Sequence, residues 1–231
     1  MIILQELCKM NRCSACGCDL IKHHILETKV INPMKNGSRI IAPSCDQCGT
    51  PITVENVLTN ISSMQKVILI SGTAGAGKST IGQYIEKKYN YIFIDGDAVS
   101  KKLNYMMKTA TTIKRDEYIC HTETINTMLI TLGLGYNVVV GYVFNIKDTE
   151  KYKNYLSEFN INPVFRVLVP NRDICITRDK ERSCWTAGVE FVDKWYLEQE
   201  LYIDININIC IDNSLETVEE TVKRHFVDFL Y

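Results

Sequence analysis

Three groups of residues in this chain have the types and spacing to do chemistry at a phosphate. The first is GTAGAGKS, Gly72 to Ser79, which fills every fixed position of the pattern G-x-x-x-x-G-K-[ST]. Gly72, Gly75 and Gly77 let the backbone curl until successive amides converge, and such a nest binds phosphate oxygens. A helix opening near Lys78 adds its positive end. Lys78 is placed to contact the β- and γ-phosphates of a nucleoside triphosphate, and Ser79 to help hold Mg²⁺. The whole run of Gly72, Thr73, Ala74, Gly75, Ala76, Gly77, Lys78, Ser79 and Thr80 is the expected nucleotide cradle. The second group is IDGDAV, whose Asp95 and Asp97 can orient or deprotonate a hydroxyl, or hold a Mg²⁺-bound water. The bland alternative for it is a turn, since Asp-Gly is a common turn pair. The third is VPNRDICITRDKERSCW, in which Arg178 and Arg182 stand four apart and on a helix would share a face. Asp179, Lys180 and Glu181 interleave them, so a solvated charged helix is the competing reading.

A fourth group lies apart from these. CSACG and CDQCG are two C-x-x-C knuckles, each followed by Gly, and their four thiolates Cys13, Cys16, Cys45 and Cys48 suit tetrahedral Zn²⁺. So short a segment has little core of its own, and a structural metal would stabilise it. A redox role would need only one pair. Cys8, Cys18, His23 and His24 are spare ligands that four well-spaced cysteines leave unneeded.

The elements that must position these groups follow from apolar patterning. KVILI is a continuous apolar run, as a buried parallel strand should be, and it leads straight into the Gly-rich turn. Ile81, Tyr84, Ile85 and Tyr89 recur at helical spacing behind it. YIFI is a second strand, carrying the acids at its end. A long amphipathic helix runs through Tyr118, Ile119, Thr122, Ile125, Leu129 and Leu132. NVVVGYVF is a third strand, with Tyr142 and Phe144 placed to line an acceptor pocket. A helix capped by Asp148 presents Tyr152, Tyr155, Leu156 and Phe159. PVFRVLV is a fourth strand, followed by helices near 171–183 and 188–201. The alternating IDININICI, Ile203 to Ile211, is a fifth, and Ser214 caps a last helix with Leu215, Val218, Val222 and Phe226 inside. Strands alternating with crossover helices predict an α/β fold: a five-stranded parallel sheet with helices on both faces. A small zinc-ribbon-like β domain is expected over 1–55, a polar linker over 56–65 and the α/β domain over 66–231.

Composition sets outer bounds. A hydrophobic content of 46% is enough for a real core. A formal net charge of −1 provides no global basic field for nucleic acid. The first residues lack the pattern of a signal peptide, and no run reaches the ~18 apolar residues of a membrane span, so a cytoplasmic protein is expected. Of the ten cysteines, six fall in the first 48 residues in metal-like spacing and the rest are scattered singly, which suits a reducing compartment.

Over roughly residues 66–230 the chain resembles the small P-loop kinases that include adenylylsulfate kinase, gluconate kinase, chloramphenicol phosphotransferase and the 5′-kinase domain of polynucleotide kinase. GTAGAGKST, IDGDAV and RDKER carry the resemblance. It implies a phosphotransferase that moves the γ-phosphoryl of MgATP to a hydroxyl of a small molecule. It further implies Asp97 as the base with Asp95 as helper, and Arg178 and Arg182 as lid cations over the transferred group. Where adenylylsulfate kinases follow D-G-D with Asn and Arg, this chain has DGDAVSKK, so that particular substrate is not implied. No N-K-x-D base-recognition motif of GTPases is present, and the third strand does not end in the acids of a water-activating ATPase. Two other functions stay open. One is a kinase for a nucleic-acid end or tRNA-linked group, which a zinc ribbon would suit. The other is a non-catalytic nucleotide-binding module whose ribbon docks a partner.

Overall fold

The computed structural model describes residues 58–99, 117–182, 186–203 and 209–231. The expected zinc site of Cys13, Cys16, Cys45 and Cys48 lies outside the described residues, as do residues 100–116 and Trp185. The described residues fall into two compact units, one of 58–65, 97–99 and 117–136, the other of 66–96 and the described part of 137–231. Among the described residues no helix is long and apolar enough to cross a membrane.

The second unit is built on KVILI and its neighbours. Strand β1 (Val67–Gly72) leads through the Gly-rich turn into helix α1 (Lys78–Tyr89), and β2 (Tyr91–Asp95) follows. In the first unit, the described helix α2 (Glu117–Gly133) buries Cys120, Thr124, Ile125, Met128 and Leu132, a 3.6-residue stripe, together with His121. The Gln65 side-chain amide donates to the carbonyls of Leu132 (2.7 Å) and Tyr136 (2.8 Å), so the end of the expected linker is bonded to the end of α2.

The chain returns to the sheet with β3 (Asn137–Gly141), helix α3 (Ile146–Ser157) and β4 (Val164–Leu168). Then come α4 (Arg172–Lys180), α5 (Val189–Leu197), β5 (Cys210–Ile211), α6 (Val218–His225) and α7 (Val227–Leu230). The expected fifth strand began at Ile203; residues 204–208 lie outside the described residues, and pairing with β4 is seen at Cys210 and Ile211. All pairings are parallel and the strand order is β2-β3-β1-β4-β5. The five-stranded parallel sheet is therefore the α/β architecture that the sequence predicts.

Period-two alternation divides the sheet's side chains between two layers. Ile68, Ile70, Val139 and Leu168 face one layer, where Ile81 and Ile85 of α1, Val222 of α6, Phe226 and Leu230 complete a buried cluster. Residues of the other parity, among them Leu69, Val138, Val140 and Phe165, are buried on the opposite face. There Phe165 meets Phe144 edge-on at 6.2 Å, and Phe144 meets Tyr152 of α3 at 5.0 Å. Tyr142 and Phe144, expected along an acceptor pocket, are thus buried among aromatic rings.

Three local expectations are corrected. The cap of α3 is Asn145, with Asp148 at its third position closing a reciprocal capping box. The cap of α6 is Thr217, with Glu220 as its box partner, while Ser214 bonds Asp212 instead. Leu215 therefore precedes the helix and is 96% exposed rather than inside. These caps separate two exposed neighbours energetically. Thr217→Ala should lower unfolding stability by about 1 kcal/mol in a urea titration, and Leu215→Ala by less than about 0.5 kcal/mol.

Candidate phosphate site

A parallel sheet presents its ligands at the carboxyl ends of its strands, where connections depart in opposite directions. Here β1 is central between β3 and β4; its chain leaves toward β2, and that of β4 toward β5. The turn after β1 sits at this divide. Its glycines all have positive φ: Gly72 at 144°, Gly75 at 76° and Gly77 at 99°. Gly75 is the most constrained, since its φ is left-handed and a Cβ there would lie 2.1 Å from the carbonyl oxygen of Cys175. Helix α4 thus packs directly on the turn.

The carbonyls of the turn are engaged by protein donors. The Lys78 ammonium, on a residue 7% exposed, donates to the carbonyls of Gly72 and Thr73, both at 2.8 Å. Thr73 O also accepts the Ala76 N–H at 3.3 Å, and Gly77 O accepts the Ile81 N–H at 3.0 Å, which starts α1. Ala76 O accepts from the side-chain nitrogen of Asn213 at 3.2 Å. Gly77 caps α1 and, as glycine, brings no side-chain bond to the positive end of the helix. Below the turn, Ser71 Oγ donates to Phe144 O and accepts Phe144 N–H, which ties β1 to the segment after β3.

Two oxygen donors stand beside this cradle. Ser79 Oγ donates to Asp95 Oδ2 at 3.4 Å. A hydroxyl and a carboxylate form the hard-oxygen set that suits Mg²⁺. Thr73 Oγ1 is buried with no hydrogen-bond partner, a polar atom of the loop left over from the protein's own bonds. Together with the buried ammonium, these groups fit a Mg²⁺-bound phosphate chain. Among the described residues no three His, Cys, Asp or Glu side chains cluster as a metal site.

Of the predicted residues, Lys78, Ser79 and Asp95 come together here. Asp97 is half-buried in the helical residues 96–99 and belongs to the other unit. Arg178 is half-buried on α4 and has no ion pair among the described residues; its charge and that of Lys78 both act to lower the Cys175 thiol pKa, which burial raises by more. Arg182 does not share a helical face with Arg178, because α4 stops at Lys180; it turns back to Asp179 Oδ1 at 3.4 Å.

Asp179 departs from the competing reading of a solvated charged helix. It is 1% exposed, not part of a solvated face, and its Oδ2 accepts the backbone N–H groups of Ala187 (2.9 Å) and Gly188 (3.0 Å). This carboxylate from α4 therefore satisfies amides at the start of α5, where the Gly188 cap has no side chain to do so. A second brace joins the loops after β4 and β5: the Asn171 N–H donates to Ser214 Oγ at 2.6 Å, and Ser214 is held by Asp212. The Ser214 hydroxyl and amide together hold the Asp212 carboxyl below its usual range. Arg172 is paired with Asp193 at 2.5 Å on the exposed side of α4.

No family model matches the chain. Among curated proteins it is similar to a cytidylate kinase of Clostridium perfringens, at 24% identity over 70% of this chain and 80% of the relative. A cytidylate kinase of Clostridium tetani is 42% identical over a stretch of 43 residues, 19% of each chain. Among solved structures, a gluconokinase from Sinorhizobium meliloti superposes with a TM-score of 0.51 at 18% identity, covering 70% of this chain and 89% of that one. The APS kinase of Mycobacterium tuberculosis gives 0.52 at 14%, covering 69% and 94%. The tunicamycin resistance protein of Deinococcus radiodurans gives 0.52 at 11%, with the same coverage. These likenesses show that the fold is that of the P-loop kinases.

The brace at Asp179 gives a direct test of the geometry. Asp179→Ala strands two backbone amides and Arg182, and should lower stability by about 2 kcal/mol. Thermal unfolding measures it; a loss below about 0.5 kcal/mol would show the carboxylate to be a surface group.

Proposed function

We propose that the chain is a phosphotransferase that moves the γ-phosphoryl of ATP to a small-molecule acceptor. One observation carries this reading: a buried Lys78 ammonium over a positive-φ glycine turn, with the Ser79–Asp95 oxygen pair beside it, at the sheet's divide. In the proposal, the amides of Gly75 to Thr80 grip the β-phosphate and Lys78 spans the β- and γ-phosphates. Ser79 and Asp95 hold Mg²⁺, which when bound offsets charge on the phosphate oxygens. Asp97, following Asp95 by two residues, takes the proton of a hydroxyl acceptor. Arg178, half-buried on α4, neutralises charge on the group in flight, with Arg182 just beyond the end of that helix as its helper. The four N-terminal cysteines hold a structural Zn²⁺ by their spacing alone.

The acceptor divides the proposal in two. A hydroxyl compound is the first reading, from the acids after β2. A nucleoside monophosphate is the second, favoured by the cytidylate kinase similarity over 80% of that relative. An anionic phosphate acceptor needs no base, so the two readings differ at Asp97.

ADP release by purified protein, offered pools of hydroxyl metabolites and of nucleoside monophosphates, tests the proposal. One pool should stimulate turnover, and Lys78→Ala should abolish it, a loss of ~10³-fold or more. Asp97→Asn should remove activity toward a hydroxyl and spare activity toward a monophosphate. Full turnover by the Lys78 variant, or no stimulation by any pool, would overturn the assignment.

A further inference from the structure

We propose that Asn213 is a positioning residue for the phosphate cradle: its amide N–H holds the Ala76 carbonyl outward and thereby turns the Gly77 N–H into the loop. The inference rests on the phosphate-binding reading of the loop above.

A phosphate nest works only if its amides point in and its carbonyls point away, because an inward carbonyl dipole would repel the anion. In a planar trans peptide the C=O of one residue and the N–H of the next point in opposite directions. Fixing one therefore fixes the other. The carbonyls of Gly72 and Thr73 are held by Lys78, and that of Gly77 by the first bond of α1. The Ala76–Gly77 peptide lies between these two anchors, where Gly77 has a φ of 99° and a strongly rotatable backbone. Its carbonyl is bonded by a side chain 137 positions away, Asn213 Nδ2 at 3.2 Å.

Three features of Asn213 support a dedicated role. The residue is 5% exposed and sits in the turn directly after β5, whose pairing with β4 fixes where that turn begins. A Cβ on Gly77 would lie 3.5 Å from Asn213 Nδ2, so the amide rests against the pivot of this peptide. Asn213 Oδ1 is buried with no hydrogen-bond partner. A carbonyl can only accept, so the nitrogen end must face Ala76 and the oxygen is left unsatisfied. Leucine has nearly the same shape and would remove the unsatisfied Oδ1, but it would leave the Ala76 carbonyl without this donor. The unfavourable amide is accounted for if its single N–H···O bond is what the loop needs.

The test compares two probes, ADP and inorganic pyrophosphate, by calorimetry on the full chain. Asn213→Leu keeps the shape and removes the donor, with Asn213→Ala as a second variant should leucine pack poorly. Affinity for both probes should fall by the same factor, about tenfold or more, while the leucine variant still unfolds in one cooperative transition near the wild-type melting temperature. A loss for ADP without a loss for pyrophosphate would overturn the inference and make Asn213 a base contact. Unchanged affinity for both would overturn it as well. If the wild-type chain bound neither probe, the phosphate reading of the loop would fall, and this inference with it.

Discussion

A backbone turn that gathers amide dipoles around one point must dispose of its carbonyls elsewhere. Most of what surrounds residues 72–80 serves that constraint. Positive φ at Gly72, Gly75 and Gly77 supplies the curl. The Lys78 ammonium takes up two carbonyls at one end, and α1 takes up another as it starts. The missing Cβ of Gly75 lets the backbone of Cys175 close on the turn from α4. The sheet fixes the base from which this is built: β1 is hydrogen-bonded on both sides, to β3 and β4, so the turn leaves from an interior strand.

The charges around the turn are arranged by burial as well as by distance. Lys78 is a buried cation whose ammonium donates to two backbone carbonyls, which compensates for part of its lost hydration. Asp179 is a buried carboxylate whose Oδ2 accepts two backbone amides, while its Oδ1 makes no hydrogen bond and lies 3.4 Å from the Arg182 guanidinium. It joins the end of α4 to the start of α5, so the element bearing Arg178 is anchored to its neighbour. Cys175 and Tyr196 join the same two helices, through a contact of 3.4 Å between sulfur and hydroxyl.

The sheet and its order of elements were legible in the sequence because buried parallel strands are continuous apolar runs and the helices between them are amphipathic. The turn was legible because its pattern is nearly invariant chemistry: glycines where φ must be positive, then Lys and Ser. What escaped had non-local causes. The burial of Asp179 depends on amides of Ala187 and Gly188 that a local reading of RDKER does not include. The bond from Asn213 to Ala76 spans 137 positions and has no periodic signature. Arg182 was misplaced because the end of α4 at Lys180 has no Gly or Pro to mark it. The caps are a different case: NIKD and TVEE are both capping-box patterns, so Asn145 and Thr217 could have been found by applying that rule to each helix start.

The central claim is that the amides after β1 grip a phosphate chain, and their exchange with solvent reports on it directly. Amide hydrogen exchange should be followed across residues 72–82, with and without MgATP. Strong slowing confined to Gly75 through Thr80, absent when adenosine replaces ATP, is the result the account predicts. Exchange there that is indifferent to MgATP, while the protein binds it, would contradict the account and place the nucleotide elsewhere.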